Sequence, residues 1–547
     1  MKAALANRLW LFASRKAAKD FHRASHHVAE TQARILQSYL TRNQHTEYVN
    51  KYTGRQVNTN YASRITHSQS PVTNHQLPLA THHFPLSTYD DYLPHITRIA
   101  NGEKNILTRN PVQLFELSSG STSASKMIPY TRTLQREFRL ALSTWIHDLY
   151  THHPALMSGS AYWSISPLTA GSRRTPGGIP IGFEEDSAYL GSFGSVIESS
   201  LMAVPNFVKH IQDMDDFRYV TLLYLLSHED LRLISVWNPT FLTLLLAPLE
   251  KYWDSLLQDI VGGTITPPNQ SPITNIQLPN KPRAHSLSKL SPTNYFSIWK
   301  NLSLISCWAD GASEPYAKEL GSLFPNVTIQ PKGLLATEAF VSFPLTKHGN
   351  VLAITSHYFE FLAENGDIFL AHQLEKGKSY SVIVTTGGGL YRYQLNDIIE
   401  VTGFYNQVPC IKFIGKADRV SDYFGEKLNE QFVATVLREL FSKHNLNPIF
   451  YMLAPDETPP FHYTLYLELT TTQLPDHLTT ELDNALCANF HYDYCRRLGQ
   501  LAETQTVQVK DGGAAYIQAC QARGQKLGDI KASVLQKSTG WKEWFNF

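Results

Sequence analysis

The chain has 547 residues, 43% of them apolar and 17% charged, enough for several packed units around sizeable cores. Its 48 Lys and Arg face 47 Asp and Glu, which removes any electrostatic case for nucleic acid or an anionic membrane as partner. Cys307, Cys410, Cys487, Cys495 and Cys520 are scattered, odd in number and without a Cys-x-x-Cys pair, so a disulfide framework is not expected and a reducing cytoplasm is.

Residues 1–60 read as mainly helical, with basic and His residues on exposed faces. The apolar run Leu9–Ala13 is too short for a signal core. His22, His26 and His27 share one helical face, but no fourth ligand or His-Glu-x-x-His motif joins them, so they are expected to be solvated. Val112–Leu117 reads as a strand, and Ser118-Ser119-Gly120-Ser121-Thr122-Ser123-Ala124-Ser125-Lys126 follows it. Small hydroxylated residues around one glycine, closed by a lysine, suit a phosphate cradle: backbone N–H groups and hydroxyls wrap anionic oxygens, and Lys126 adds a mobile positive charge. The glycine spacing is not that of a Walker A loop, and taken alone a solvated serine-rich loop is an equal reading. Thr131 is expected to cap a helix whose inner face carries Leu134, Phe138, Ala141, Trp145 and Leu149.

Residues 167–187, rich in Gly and Pro, read as a loop or strand edge. Asp215 to Leu256 reads as two or more packed helices, and 261–293 as a long surface connection. The most apolar run, Phe241 to Leu249, contains Pro248 and falls far below membrane-spanning length. From 327 to 415 the texture becomes β, with Asn365-Gly366 predicting a hairpin, and an antiparallel sheet or distorted barrel is expected. Two motifs fall here. In Gly333-Leu-Leu-Ala-Thr-Glu338 the Thr337 hydroxyl suits a phosphate oxygen and the Glu338 carboxylate suits Mg²⁺; alone, the stretch is an exposed glutamate at a strand end. In Gly387-Gly-Gly-Leu-Tyr-Arg-Tyr-Gln-Leu-Asn-Asp397, three glycines permit close backbone approach, Arg392 suits a phosphate or carboxylate, and Asp397 suits both ribose hydroxyls. The competing reading is a hairpin with an Arg392–Asp397 ion pair.

Beyond about 415 the pattern is helix Leu428–Lys443, strand Ile449–Leu453, strand Phe461–Leu469, helix Leu478–Ala488, strand Thr504–Val509 and helix Ala514–Ala522. A small α+β domain follows, with Gly415–Asp418 as its hinge. Its tail carries Gly528-Asp-Ile-Lys531, a lysine that a mobile small domain could swing into a site on the large domain, although alone such a lysine is usually just solvated.

The stretch Gly389 to Phe404, with Tyr405 and Asn406 after it, resembles the second nucleotide motif of the plant auxin-responsive acyl acid amido synthetases, the Gretchen Hagen family, and their bacterial relatives. Phe461 to Glu468 is similar to a strand of that family's small domain, and the likeness runs from about Pro111 to the C-terminus. The family lies among the adenylate-forming enzymes, with acyl-CoA synthetases and luciferase. The resemblance implies an α/β, multi-domain fold: a large N-terminal adenylation domain over 1–414, with α/β subdomains and a β-barrel-like subdomain at about 327–414, and a small mobile α+β domain over 415–547. It implies ATP and Mg²⁺ as cofactors, with Ser118, Ser119, Gly120, Ser121, Thr122, Thr337, Glu338, Tyr391 and Asp397 binding nucleotide and Glu338 binding the metal. Lys126, Arg392 and Lys531 are the implied catalytic residues. The implied reaction joins a small carboxylic acid, through its adenylate, to an amine or amino acid. Transfer to a thiol of coenzyme A or a carrier protein, and a non-catalytic nucleotide-binding role, stand as alternatives. The chain departs from the family at Asn396, where a glycine is usual, at Leu334, where an aromatic is usual, and at Ala124 and Ser125 in the phosphate loop.

Overall fold

The structure is a computed structural model that describes residues 2–53, 83–118, 126–164, 173–182, 199–269, 273, 278–417, 420–469, 474–525, 527 and 530–545. The chain gathers into two compact units. The first comprises Met1–Ser235, Leu249–Ser306 and Asn326–Phe413, and the second Val236–Pro248, Cys307–Pro325 and Ile414–Phe547.

In the first unit, helices Lys2–Ala24, Val28–Asn43 and Glu47–Thr53 account for the helical texture at the N-terminus. Strands β1 (Val112–Leu117) and β2 (Met127–Thr131) pair antiparallel, and with β4 (Arg173–Arg174) and β5 (Pro180–Ile181) form a sheet ordered β2-β1-β5-β4. A strand therefore separates the serine-rich loop from the helix Arg132–His152. Thr131 caps that helix by accepting from the Leu134 amide at 3.2 Å. Leu134, Phe138, Ala141, Trp145 and Leu149 are all buried, as their spacing predicts. Each Leu or Phe among them contributes about 1.5–3 kcal/mol on burial.

A second sheet, ordered β3-β6-β7-β8, contains β3 (Ser160–Trp163), β6 (Leu231–Ser235), β7 (Leu304–Cys307) and β8 (Thr328–Pro331), with β3, β6 and β7 parallel. Here the all-helical expectation for 215–256 is corrected. The helix Met214–Ser227 leads into β6 before the helices Pro239–Leu246 and Leu249–Gly262. A strand covered on both faces shows no period-2 alternation, so β6 hides among apolar helical residues. The stretch 261–293 is likewise more than a connection. Asn280 caps the helix Lys281–Leu287, accepting from the Arg283 amide at 3.2 Å. Buried Arg283 then donates to the Leu226 and Ile298 carbonyls.

The β texture after 327 forms a seven-stranded sheet, β12-β11-β13-β14-β15-β10-β9. It uses β9 (Ser342–Leu345), β10 (Gly349–Leu352), β11 (Tyr358–Leu362), β12 (Ile368–Leu370), β13 (Ser379–Thr385), β14 (Tyr393–Tyr405) and β15 (Val408–Lys416). The hairpin between β11 and β12 turns at Asn365-Gly366, where Gly366 takes φ 88° at no steric cost.

In the second unit, β16 (Val420–Ser421) and β17 (Leu428–Asn429) make a small ladder. β18 (Pro448–Asp456), β19 (His462–Leu469) and β20 (Gln505–Gln508) form a three-stranded sheet packed with helices Glu430–Lys443, Leu478–Leu486 and Gly512–Ala522. This is the expected α+β alternation, with one addition. Helix Phe490–Arg497, capped by Asn489, was not legible because Phe490 and Tyr494 lie on its exposed side.

Candidate active site

Residues 119–125 of the phosphate loop, with Ser119, Gly120, Ser121 and Thr122 among them, lie outside the described residues; the two ends of the loop, Ser118 and Lys126, do not. Ser118 N–H donates to the Lys126 carbonyl at 2.9 Å, closing the β1–β2 hairpin around the loop. Tyr89, in the first turn of the helix Tyr89–Ala100, accepts from the Met127 amide at 2.9 Å. The Lys126 ammonium sits 5.6 Å from the centre of the Tyr89 ring. Burial, with further contributions from Asp90 and Glu338, pushes the Tyr89 hydroxyl above its ordinary range. Tyr89 thus lies beneath the Lys126 ammonium and within electrostatic reach of Glu338.

The Thr337–Glu338 segment is held by two tyrosines that the sequence reading did not single out. Tyr130, on β2, donates to the Thr337 carbonyl at 2.6 Å. Tyr393, the first residue of β14, donates to Glu338 Oε1 at 3.2 Å. Glu338 is buried, not the exposed strand-end glutamate of the alternative reading. Tyr393 could have been found from its place beside Arg392 in the glycine-rich motif, and Tyr130 from its place in a strand next to the loop.

Asp397 is buried on β14. The β13–β14 register shifts between Ser381, opposite Ile398, and Ile383, opposite Gln394, so a bulge lies just before and at Asp397. Asn396 takes φ 60° in that bulge. Asn is the non-glycine residue best suited to the left-handed region, which explains how this chain does without the family's glycine.

Two expected residues, Tyr391 and Arg392, are placed away from the role expected of them. Tyr391 is fully buried, its ring stacked with Phe84 at 4.9 Å and Tyr48 at 5.5 Å, and its hydroxyl bonded to Asn43. Its contacts are those of a core residue, because helices before residue 100 cover this side of the sheet. Arg392 is also buried and has φ 48°. Its Nε donates to Glu360 Oε2 at 3.1 Å and its Nη1 to the Phe84 carbonyl at 2.9 Å, so the Arg392–Asp397 pair of the alternative reading is replaced by Arg392–Glu360. Neighbours at positions 392 and 397 are separated by the bulge, whereas β11 presents Glu360 to the arginine. The three glycines approach protein, not open space: a Cβ on Gly387 would strike Glu137 and Thr133, and one on Gly388 the Pro129 carbonyl.

Lys531 belongs to the second unit, and Gly528 and Asp529 of its motif lie outside the described residues. Its ammonium stands 4.5 Å from the centre of the Trp308 ring, and its carbonyl accepts from Tyr516 at 2.7 Å. The neighbouring Ile530 carbonyl accepts from Asn238 at 2.7 Å.

Among the described residues no three His, Cys, Asp or Glu side chains gather as a metal site, and no helix is long and apolar enough to cross a membrane. His22 is not simply solvated: its Nδ1 lies 2.7 Å from the Tyr405 hydroxyl.

Comparison with known proteins gives the following. The model of the GH3 family N-terminal domain matches residues 17–329, that of the GH3 family central domain 350–416, and that of the GH3 family C-terminal domain 430–540. The chain is 24% identical to indole-3-acetic acid-amido synthetase GH3.3 of Arabidopsis thaliana, over 83% of this chain and 79% of that protein. It is 25% identical to indole-3-acetic acid-amido synthetase GH3.2 of the same plant, over 86% and 90%. Among solved structures, the AtGH3.15 acyl acid amido synthetase in complex with 2,4-DB matches with a TM-score of 0.80 at 19% identity, covering 97% of this chain and 95% of that one. That last likeness is one of fold.

Proposed function

The chain belongs to the GH3 family, and from that premise we propose that it is an ATP-dependent acyl acid amido synthetase, an AMP-forming ligase of carbon–nitrogen bonds. A carboxylate oxygen of the acid attacks the α-phosphorus of ATP, the bond to the β-phosphate oxygen breaks, and pyrophosphate leaves. The amine nitrogen of an amino acid then attacks the acyl carbonyl, AMP departs and the amine proton is lost. The observation that supports this reading most is the match of all three family domains to the chain, with Lys126 over the Tyr89 ring and Glu338 buried and bonded to Tyr393.

The residues fit the chemistry. Phosphoryl transfer needs charge stabilisation more than covalent help, which Lys126 and the 118–126 loop supply to the phosphates. Glu338, with Oε1 oriented by Tyr393, would hold Mg²⁺ through a carboxylate oxygen, and the metal would neutralise phosphate charge when bound, with the Thr337 hydroxyl assigned to a phosphate oxygen. Asp397 is assigned to the ribose hydroxyls. Arg392 is assigned to holding the Gly387–Asp397 segment in place through Glu360 and Phe84, and Tyr391 to the same task through the aromatic core. Residues 415–547 are taken as the mobile small domain that carries Lys531 to the nucleotide. The acid is assigned an apolar aryl or aliphatic body, and the compartment is assigned as cytoplasm.

ATP–pyrophosphate exchange against a panel of aryl and aliphatic acids, without amine, tests the first half. Acid-dependent exchange supports it. Adding amino acids, and separately thiols, to the active acid then tests the second half: amide formation supports the proposal, and exclusive thioester formation overturns it. Silence across the panel with ATP still bound favours a non-catalytic role.

A further inference from the structure

Glu137 and His357 belong to no motif discussed so far, and both are buried in the first unit. Glu137 lies near the start of the helix Arg132–His152, and His357 immediately precedes β11. The Phe340 amide donates to His357 Nε2 at 3.0 Å. A backbone N–H has no lone pair to offer, so Nε2 is the acceptor and the ring proton sits on Nδ1. That Nδ1–H points at Glu137 Oε2, 3.1 Å away. The same Oε2 accepts from the Gly387 amide at 2.9 Å. Thr131 Oγ1 completes the set by donating to the Gly387 carbonyl at 2.8 Å.

The result is one continuous chain of hydrogen bonds: Phe340 N–H to His357, His357 to Glu137, and Gly387 N–H to Glu137. Its ends matter. Phe340 lies two residues after Glu338, Gly387 opens the turn that leads to Tyr393 and Asp397, and Glu137 rides on the helix that follows β2 and Lys126. Only glycine allows the 387 amide this close, since a Cβ there would strike the Glu137 carboxylate. A carboxylate and an imidazole thus tie together the three segments assigned to ATP. Two Leu-sized side chains would fill the same space but would leave the Phe340 and Gly387 amides buried without acceptors.

We infer that Glu137 and His357 are positioning residues for adenylation, setting the Thr337–Glu338 segment against the Gly387 turn so that the nucleotide and its metal are held in register. The inference rests on the adenylation reading above. It does not require either residue to touch substrate.

The test compares H357L, H357Q and E137L with the wild type. Leu breaks both links. Gln restores them, because its carbonyl accepts from Phe340 while its amide donates to Glu137. E137L keeps similar volume and removes the oxygen that accepts from both His357 Nδ1–H and the Gly387 amide. Melting temperature checks folding, and exchange protection of the Phe340 amide reads the link itself. The expected result is a roughly 10-fold or larger rise in KM for ATP in H357L and E137L, with KM for the acid and amide formation from added acyl-adenylate nearly unchanged, and recovery in H357Q. Equal losses for ATP, acid and added adenylate, tracking melting temperature, would make the pair merely structural and overturn the inference. So would wild-type ATP kinetics in an H357L protein whose Phe340 amide has lost protection. If the wild type shows no exchange with any acid, the adenylation reading fails first. ATP affinity by calorimetry then decides the inference alone: weakened binding in H357L supports it, and equal binding, or none in the wild type, overturns it.

Discussion

Tyr393 Oη donates to Glu338 Oε1 across 3.2 Å, a contact between residues 55 positions apart that joins the two motifs of the seven-stranded sheet region. A buried carboxylate with one oxygen fixed by a neutral donor stays available as a charged ligand on its other oxygen. The Tyr393→Phe change removes that donor while keeping the ring. A hydrogen bond to a charged group is worth about 1.5–3 kcal/mol, so the Mg²⁺ concentration for half-maximal pyrophosphate exchange should rise roughly 10-fold. A magnesium titration of both proteins checks this; an unchanged midpoint would detach Tyr393 from the metal.

Asn396 carries φ 60° beside Asp397. Asn396→Gly should be neutral within a few tenths of a kcal/mol, since glycine takes this conformation freely. Asn396→Val should cost about 1–2 kcal/mol from left-handed strain and should weaken ATP more than acid, because the bulge presents Asp397. Urea midpoints and the two KM values, measured on the same preparations, separate the effects.

The Arg392–Glu360 pair is buried on both sides. Removing the carboxylate with Glu360→Ala strands the guanidinium and should cost about 3–5 kcal/mol, read as a lower urea midpoint. The pair also sets a pH dependence. Burial raises the Glu360 carboxyl above the ordinary carboxylate range, with Arg392 opposing. The folded state therefore binds the Glu360 proton more tightly than the unfolded chain does. Its contribution is full below the unfolded value and is lost as pH rises through the folded value. Wild-type stability should lose this contribution across that window, and a Glu360→Gln protein should lack it.

Lys531 rests over Trp308 at 4.5 Å in the second unit. Lys531→Ala should reduce pyrophosphate exchange by about 10²- to 10³-fold, the usual cost of one preorganised charge-stabilising group. Its far-ultraviolet spectrum and melting temperature should stay unchanged, because only a half-buried side chain is lost. Amide formation from added acyl-adenylate should survive. Undiminished exchange would remove Lys531 from the first step.

Much of this architecture was legible because it is written in short-range chemistry. Thr131 precedes an apolar repeat of helical period, and the helix starts there. Asn365-Gly366 stands between alternating apolar runs, and the hairpin turns there. The hydroxyl-rich loop, Thr337-Glu338 and the Gly387–Asp397 stretch are each recognisable as candidates by residue type, and only their combination points to a nucleotide site.

What the sequence determined by itself is therefore local: most of the helices, strands and turns, and which stretches carry the hydroxyls, carboxylates and glycines that make them candidates for phosphate, metal and ribose. Tertiary structure alone decided partnership. Arg392 meets Glu360 and Phe84 instead of Asp397, Tyr391 turns into the aromatic core, and Tyr130 and Tyr393 hold the Thr337–Glu338 segment. The reason is physical. Caps and periodicities are set within a turn or two of chain, whereas the partner of a buried polar group is set by what packing brings across, here over separations of up to 308 residues.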